Sequence, residues 1–302
     1  MNLREEDFPR ILSGRMITRD DLETVRRIIA QNQTATRRYI SREVCLAWGW
    51  YKPDGGLKDM RARELLLNWH KAGLIVLPPS RFTKGITLKP PLRTPTGEPG
   101  SPIVKPVQEL LPLCLKRVVT KEDSSLWNEL IDRYHYLGYT RLAGAQIRYL
   151  VYSQEILIAA LGFSASAWNV REREIWIGWN LEQRRQNLYL VVNNSRFLIL
   201  PWVKSKNLAS KLLSMAARQL PRDWQAVYSY TPVLLETFVD QSRFWGTSYK
   251  AANWFLVGCT QGRGRQPRQP RSRRGRLPLK SIYLFPLRKD CRKILRKKSA
   301  SE

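Results

Sequence analysis

The chain has 302 residues, with 52 Lys and Arg against 25 Asp and Glu, a formal net charge of +27. That length suits one large domain or two ordinary ones, and 43% hydrophobic residues with 11 Trp exclude a disordered polycation. The longest apolar run, 156–163, is strand-sized and far below the roughly 18 residues of a membrane helix. The opening MNLREEDFPR is polar and acidic, unlike a secretory signal. Cys45, Cys114, Cys259 and Cys291 lie far apart without a CxxC pair, and the chain has two histidines. A zinc site or disulfide scaffold is therefore not expected, and a reducing, cytoplasmic setting fits. Nucleic acid is the default partner of so basic a globular protein.

Residues 18–32 predict an amphipathic helix, with Leu22, Val25, Ile28 and Ile29 on one face and a Thr18–Asp21 capping box. A second helix is expected in ISREVCLAWGW with Ser41 as its N-cap, then a reversal at YKPDGG. LKDMRARELLLNWHKAGL predicts a third helix that buries Leu57, Met60, Leu65, Leu66 and Trp69 and ends at Gly73. LIVLPPSRFTKGITL then alternates like a β-hairpin. Three helices and a hairpin are the plan of a winged helix-turn-helix over 1–88, its third helix entering the major groove of DNA. Lys58, Arg61, Arg63, Arg81 and Lys84 are its expected contacts, most of them to phosphate.

Residues 89–112, KPPLRTPTGEPGSPIVKPVQELLP, read as a Pro/Gly-rich linker. From 113 to 287 the pattern gives a strand, a helix ending in YHYLGY, two strands turning at Ser153-Gln154, and a polar stretch with IWIGW. A strand in NLYLVVNNSRFLILPWV, a helix in NLASKLLSMAARQL, a strand in QAVYSY and a helix in PVLLETFVD follow. Strands in WFLVGCT and IYLFPL close the domain. The fold class is α+β: a winged helix-turn-helix, then a mixed sheet whose element order is that of the GNAT acyltransferases. Such an enzyme cradles the pyrophosphate of acyl-CoA on a glycine-rich helix N-terminus. The corresponding PWVKSKNLAS has no glycine, although Lys204 and Lys206 could hold an anion, so acyl transfer is a minor alternative.

Residues 261–302 carry 15 basic residues and two acids, +13 of the +27. GRGRQPRQPRSRRGR, inside the loop 261–279, lacks packing residues and reads as a mobile insertion between strands. Its Arg263, Arg265, Arg268, Arg271, Arg273, Arg274 and Arg276 are expected phosphate contacts, and residues 288–302 form a further basic tail. Trp168, Trp176, Trp179, Trp202, Trp224, Trp245 and Trp254 include candidates for stacking on unpaired bases, with core packing as the duller role.

Taken in order, HYLGY, GAQIRYLV, IWIGW, NLYLVVNNSRFLILPWV, DWQAVYSYTPVLLETFVD, GTSYKAANW and VGCTQGRGR resemble the DruA family, named for a component of the Druantia anti-phage system. The resemblance spans about 118–285, and ISREVCLAWGW to GLIVLPPSR is similar to the family's usual N-terminal part. It implies the handling of foreign or mobile DNA, in phage defence or beside transposases.

Polar residues crowd the same motifs. Glu236 and Asp240, placed on one helix face, are candidate Mg²⁺ ligands and catalytic carboxylates, with Asp223 or Glu174 completing the set. Tyr249 beside Lys250 is a candidate nucleophile for DNA joining, and His135 a candidate acid or base. Arg196, Lys204 and Lys250 join the expected DNA contacts. The leading expectation is thus a DNA-binding protein of the DruA type, on duplex and also single strands. A metal-dependent nuclease or strand-transferase, an acyltransferase, and a non-catalytic subunit recruiting a helicase or transposase are the alternatives. A homo-oligomer is compatible with all of them.

Overall fold

The computed structural model describes residues 8–12, 15–52, 55–79, 90–142, 144–262 and 278–297. It divides into two compact units, 1–88 and 89–302.

In the first unit an antiparallel pair, β1 (Arg10–Leu12) and β2 (Arg15–Ile17), precedes three helices, α1 (Arg19–Gln31), α2 (Arg37–Ala47) and α3 (Asp59–Lys71). α1 begins at the expected capping box, Thr18 accepting from Asp21 N and Asp21 from Thr18 N. α2 begins earlier than expected: Thr36 is its N-cap, and Ser41 lies inside the helix with its hydroxyl donating to Arg38 O at 2.8 Å. Leu22, Val25, Val44, Leu66 and Trp69 form the core, and Phe8 packs edge-on against Trp69. Met60, expected inside, is 68% exposed. After α3 the chain turns through Gly73 (φ 78°), and Leu74, Ile75 and Leu77 are buried without joining a strand. The rest of the expected hairpin, with Arg81 and Lys84, lies outside the described residues. Three helices are present; the wing is not among the described elements.

In the second unit β4 (Leu113–Arg117), α4 (Lys121–Tyr134), β5 (Gln146–Ser153) and β6 (Ile156–Ala165) follow the expected order, with the tight turn at Gln154 (φ 55°), after a short strand β3 (Ile103–Val104). The polar stretch is helical, as α5 (Arg171–Ile177) and α6 (Leu181–Asn187), before β7 (Val191–Ile199) and β8 (Val203–Lys204). α7 then runs Leu208–Tyr228, so QAVYSY extends a helix rather than forming a strand, despite Pro221 inside it. The expected helix in PVLLETFVD is instead β9 (Leu234–Asp240). Its apolar run is buried on both faces, which removes the alternation that marks a half-buried strand. α8 (Thr247–Ala251), β10 (Phe255–Cys259), β11 (Lys280–Pro286) and α9 (Cys291–Leu295) complete the unit. The Arg-rich stretch 263–277 lies outside the described residues.

The main sheet runs β10-β11-β9-β7-β6-β5-β4. Every neighbour is antiparallel except β7 and β9, whose parallel pairing lasts from Val191–Leu234 to Asn193–Glu236. Past those three pairs the two strands splay apart. One face carries α4, α5 and α9; Tyr149 OH, hydrogen-bonded to Asp223 of α7 at 2.7 Å, marks the other.

A β-bulge decides which side chains reach which face. Gly162 of β6 pairs with Arg196 while Phe163 pairs with Asn194, so Ser195 is the extra residue. Without it, Asn194 and Arg196 would share a face. With it, Asn194 turns into the splay and Arg196 turns toward α4, beside Trp127 and across Gly162.

The segment 90–112 is a docked strap rather than a free linker. Thr94 donates from its N and Oγ1 to the buried Glu129 of α4 at 2.8 and 2.7 Å, and Arg133 Nε lies 2.9 Å from the same carboxylate. Ile103 N donates to Trp202 O at 2.8 Å and β3 pairs in parallel with β8. Gly97 fits because it has no Cβ, which would overlap the Glu129 carboxylate. Gly97→Ala and Glu129→Ala should each release the strap, with about 1–3 kcal/mol lost and faster proteolytic cleavage within 93–105; wild-type melting and cleavage would refute the anchor.

Candidate functional site

The splay between β7 and β9 is occupied by the protein's own side chains. Tyr249 of α8 is buried there, its hydroxyl donating to Asn194 Oδ1 at 2.7 Å, and Thr237 Oγ1 donates to Asn194 O at 3.0 Å. Tyr283 stacks on the Tyr249 ring and Trp254 meets its edge. Burial pushes the Tyr249 phenol well above its ordinary range. A phenolate is therefore disfavoured where a nucleophile would need one, and the candidate role of Tyr249 gives way to that of a packing residue. Lys250, its neighbour in sequence, is exposed on α8.

Glu236 is also structural. It is fully buried, and Arg173 of α5, equally buried, donates to it from Nη1 at 2.7 Å, while Ala167 N donates at 3.2 Å. Arg173 Nη2 donates to Ala167 O at 2.9 Å and to Glu174 at 2.7 Å, and Glu174 accepts in turn from Trp179 Nε1. Burial pushes the Glu236 carboxyl up, against the pull of Arg173 and the Ala167 N–H. On a strand rather than a helix, Glu236 and Asp240 stand about 13 Å apart, four residues at roughly 3.3 Å each. They do not share a metal, and among the described residues no group of three or more His, Cys, Asp or Glu is placed to hold one.

Asp223 lies within α7, not at a strand start; it accepts from Tyr149 OH and from Gln219 Nε2 at 3.0 Å. Lys204 is exposed in β8, ahead of an α7 N-terminus whose Asn207 (φ 64°) makes no side-chain cap. In the first unit, Lys58 precedes α3 with its ammonium over the Trp50 ring, and burial followed by Arg61 lowers its pKa. Arg61 pairs with Glu64 at 2.9 Å and Arg63 with Asp59 at 3.2 Å.

The predicted residues that do come together are Arg196, His135 and Asp240, on the α4 face at the open end of the splay. Arg196 is 8% exposed; its guanidinium donates to Ser195 O and Thr140 Oγ1, both at 2.7 Å, and its buried Nε has no partner. Both acceptors are neutral. His135 ends α4, its Nδ1 accepting from Leu137 N, which leaves the ring proton on Nε2. Tyr136 stacks on His135 (4.9 Å) and meets Phe244 edge-on (5.4 Å), and the Arg243 guanidinium lies 5.3 Å over the Tyr136 ring. Asp240 Oδ1 accepts from Ser242 N and Oγ, which fastens the turn that presents Arg243 and Phe244. Burial, then the charge of Arg196, pushes His135 down to about 4. Burial raises Tyr136, as does Asp240, while Arg196 and Arg243 pull it down. Five charged or titratable groups, His135, Tyr136, Arg196, Asp240 and Arg243, thus share one environment. Tyr136, Thr140 and Phe244 were missed as site residues; the visible signal was the aromatic pairing within YHYLGY and RFW.

A seven-stranded mixed sheet with this order and a splay between its one parallel pair defines a GNAT-like protein. Within that class, the family model described as Druantia protein DruA matches residues 84–269, and the chain belongs to the DruA family. Similar solved structures include a spermidine N-acetyltransferase from Vibrio cholerae, at 13% identity over 58% of this chain and 94% of that one, with a TM-score of 0.36. An N-acetyltransferase from Staphylococcus aureus Mu50 gives 11%, 58%, 97% and 0.35. The N-acyl amino acid synthase FeeM from uncultured soil microbes gives 11%, 58%, 92% and 0.36. No curated protein matches the chain.

Two outcomes follow for the site. Arg173→Met should cost about 3–5 kcal/mol by leaving Glu236 buried and unpaired, and adding Glu236→Leu should recover part of it; a double variant no better than the single would deny the ion pair. The second concerns pH. The folded His135 pKa lies below its ordinary 6.5, so its stabilising contribution is complete above 6.5. It is lost as pH falls toward about 4, because the unfolded chain then takes a proton that the folded one refuses. The loss of Tm between pH 7.5 and 5 should therefore shrink in His135→Gln; an unchanged loss would place the imidazole outside this balance.

Proposed function

We propose that this DruA-family protein binds DNA and acts on foreign or mobile DNA, as in phage defence or transposon-associated processing. The observation that carries the reading is the charge of +27, of which +14 belongs to residues 1–260, so both units and not the C-terminal stretch alone are cationic. Polyphosphate is the partner such a surface favours, through release of condensed counterions. In the first unit α3 offers Arg61 and Arg63 in its first turns and Lys71 at its end, in a three-helix arrangement of the kind that enters a major groove. The pairs Arg61–Glu64 and Arg63–Asp59 do not oppose this, since partly exposed pairs are worth about 0–1 kcal/mol and yield to phosphate. Lys204 and Lys250 are exposed on the second unit, and Arg263 to Arg276 add seven further charges.

Acyl transfer is the second reading, favoured by the sheet order alone. The filling of the splay by Tyr249, Asn194 and Thr237 counts against it, and dialysis against acetyl-CoA tests it.

Fluorescence anisotropy with a labelled duplex across a salt series tests the leading reading. With five or more phosphates neutralised, log K should fall with log salt at a slope of about −4 or steeper. Arg61→Ala with Arg63→Ala should weaken duplex binding several-fold and leave melting unchanged. A flat salt response would sink the proposal, and normal binding by the double variant would remove α3 from the interface.

A further inference from the structure

Among the described residues of the second unit two arginines are buried, Arg173 and Arg196, and they differ in the charge of their partners. Each leaves a buried Nε without a partner, but the other nitrogens of Arg173 are matched by Glu236 and Glu174, whereas those of Arg196 have only neutral acceptors. A buried guanidinium without a countercharge is costly, and that cost is lifted when an anion arrives. Burial lowers the Arg196 pKa, and the nearby imidazole stays neutral rather than adding charge.

What surrounds Arg196 narrows the anion. The bulge at Ser195 aims it to the α4 face, where the His135–Tyr136 stack forms one wall. Phe244, half exposed, meets Tyr136, and the Arg243 guanidinium lies over the Tyr136 ring. Next to them Trp245 is 87% exposed. Two large aromatic surfaces held at the rim of an unmatched cation suit a ligand with one negative charge and one flat π-face. Asp240 is fastened to Ser242 through its Oδ1, and the Arg196 guanidinium donates to Ser195 O and Thr140 Oγ1 rather than to that carboxylate. Gln241 N donates to Leu279 O, so the same turn adjoins the point where the chain returns from its Arg-rich stretch.

We propose that this cluster is a pocket for one unpaired nucleotide of single-stranded DNA, its phosphate on Arg196 and Arg243 and its base stacked on the exposed ring of Phe244, beside Tyr136. The proposal rests on the DNA-binding reading and deepens it. Duplex DNA does not satisfy the pocket, because its bases are stacked on one another and their faces are covered. Free phosphate would use the guanidinium groups but leave the aromatic rim idle.

The test uses the full chain with a fluorescein-labelled dT12 strand, the same strand with abasic positions throughout, and a duplex of equal length. Wild-type protein should prefer dT12 to the abasic strand by about tenfold, the scale of one base–aromatic stack. Phe244→Ala, at an exposed position, should remove that preference and leave duplex affinity within about twofold. Arg196→Met should weaken both single strands by tenfold or more and again spare the duplex; Arg243→Gln serves the same purpose at the surface if Arg196→Met does not fold. A 5-iododeoxyuridine strand should crosslink to a peptide containing Tyr136 or Phe244. Equal affinity of wild type for dT12 and the abasic strand, parallel losses on single strand and duplex, or crosslinks confined to other peptides would overturn the pocket while DNA binding stands. Failure to bind any of the three probes at low salt would overturn both readings.

Discussion

The parallel pairing of β7 with β9 lasts three residues, and the second unit is organised around that short contact. Beyond Asn193 and Glu236 the two halves of the sheet have no ladder between them, so their facing edges need other partners. On one side Tyr249, Asn194 and Thr237 supply them as a hydrogen-bonded plug; on the other, Glu236 sits at the last paired position and is held by Arg173. Glu236 of β9 and Tyr249 of α8, which both looked chemical, are thereby committed to holding the divergence in place. The site capable of recognition is displaced to the open end, where the halves are furthest apart.

The displacement depends on a single inserted residue. Ser195 breaks the register between β6 and β7 and separates the duties of Asn194 and Arg196, which regular pleating would have placed together. Gly162 opposite leaves room for the Trp127 ring, whose Nε1 donates to Leu161 O. The α4 helix is thus fastened against the bulge from outside and by the 90–112 strap from behind, at Glu129. Arg196 is thus presented from a floor that α4 and the strap hold in place.

Much of this order was legible in the sequence, and the errors have physical causes. α1, its capping box and the β5–β6 turn were visible because local signals and period agree there. α7 was cut at Pro221, a residue that ordinarily ends a helix, yet the chain continues to Tyr228, where tyrosine and tryptophan packing outweighs the lost hydrogen bond. β9 was read as a helix because both of its faces are buried, and that error alone brought Glu236 and Asp240 into a common metal site. Ser195 could not be recognised as a bulge, since nothing in NNSRF breaks the pattern of a strand. The Arg196 site was half visible: its residues were named singly, but their convergence is a long-range property of the sheet.

The position of β11 sets the order in which the second unit can be completed. It lies between β9 and β10 and is antiparallel to both, although it follows them in sequence. Its Ile282, Tyr283 and Leu284 are as buried as any residues of the sheet. During synthesis β9 therefore waits with an open edge until residues 280–286 leave the ribosome. Closing the 260–279 connection costs roughly 2 kcal/mol more in chain entropy than a two-residue turn, by the logarithmic dependence on loop length. A stop codon anywhere before Lys280 would remove the interior of the sheet rather than a tail, and would leave the nascent chain with an unpaired strand edge of the kind that invites aggregation.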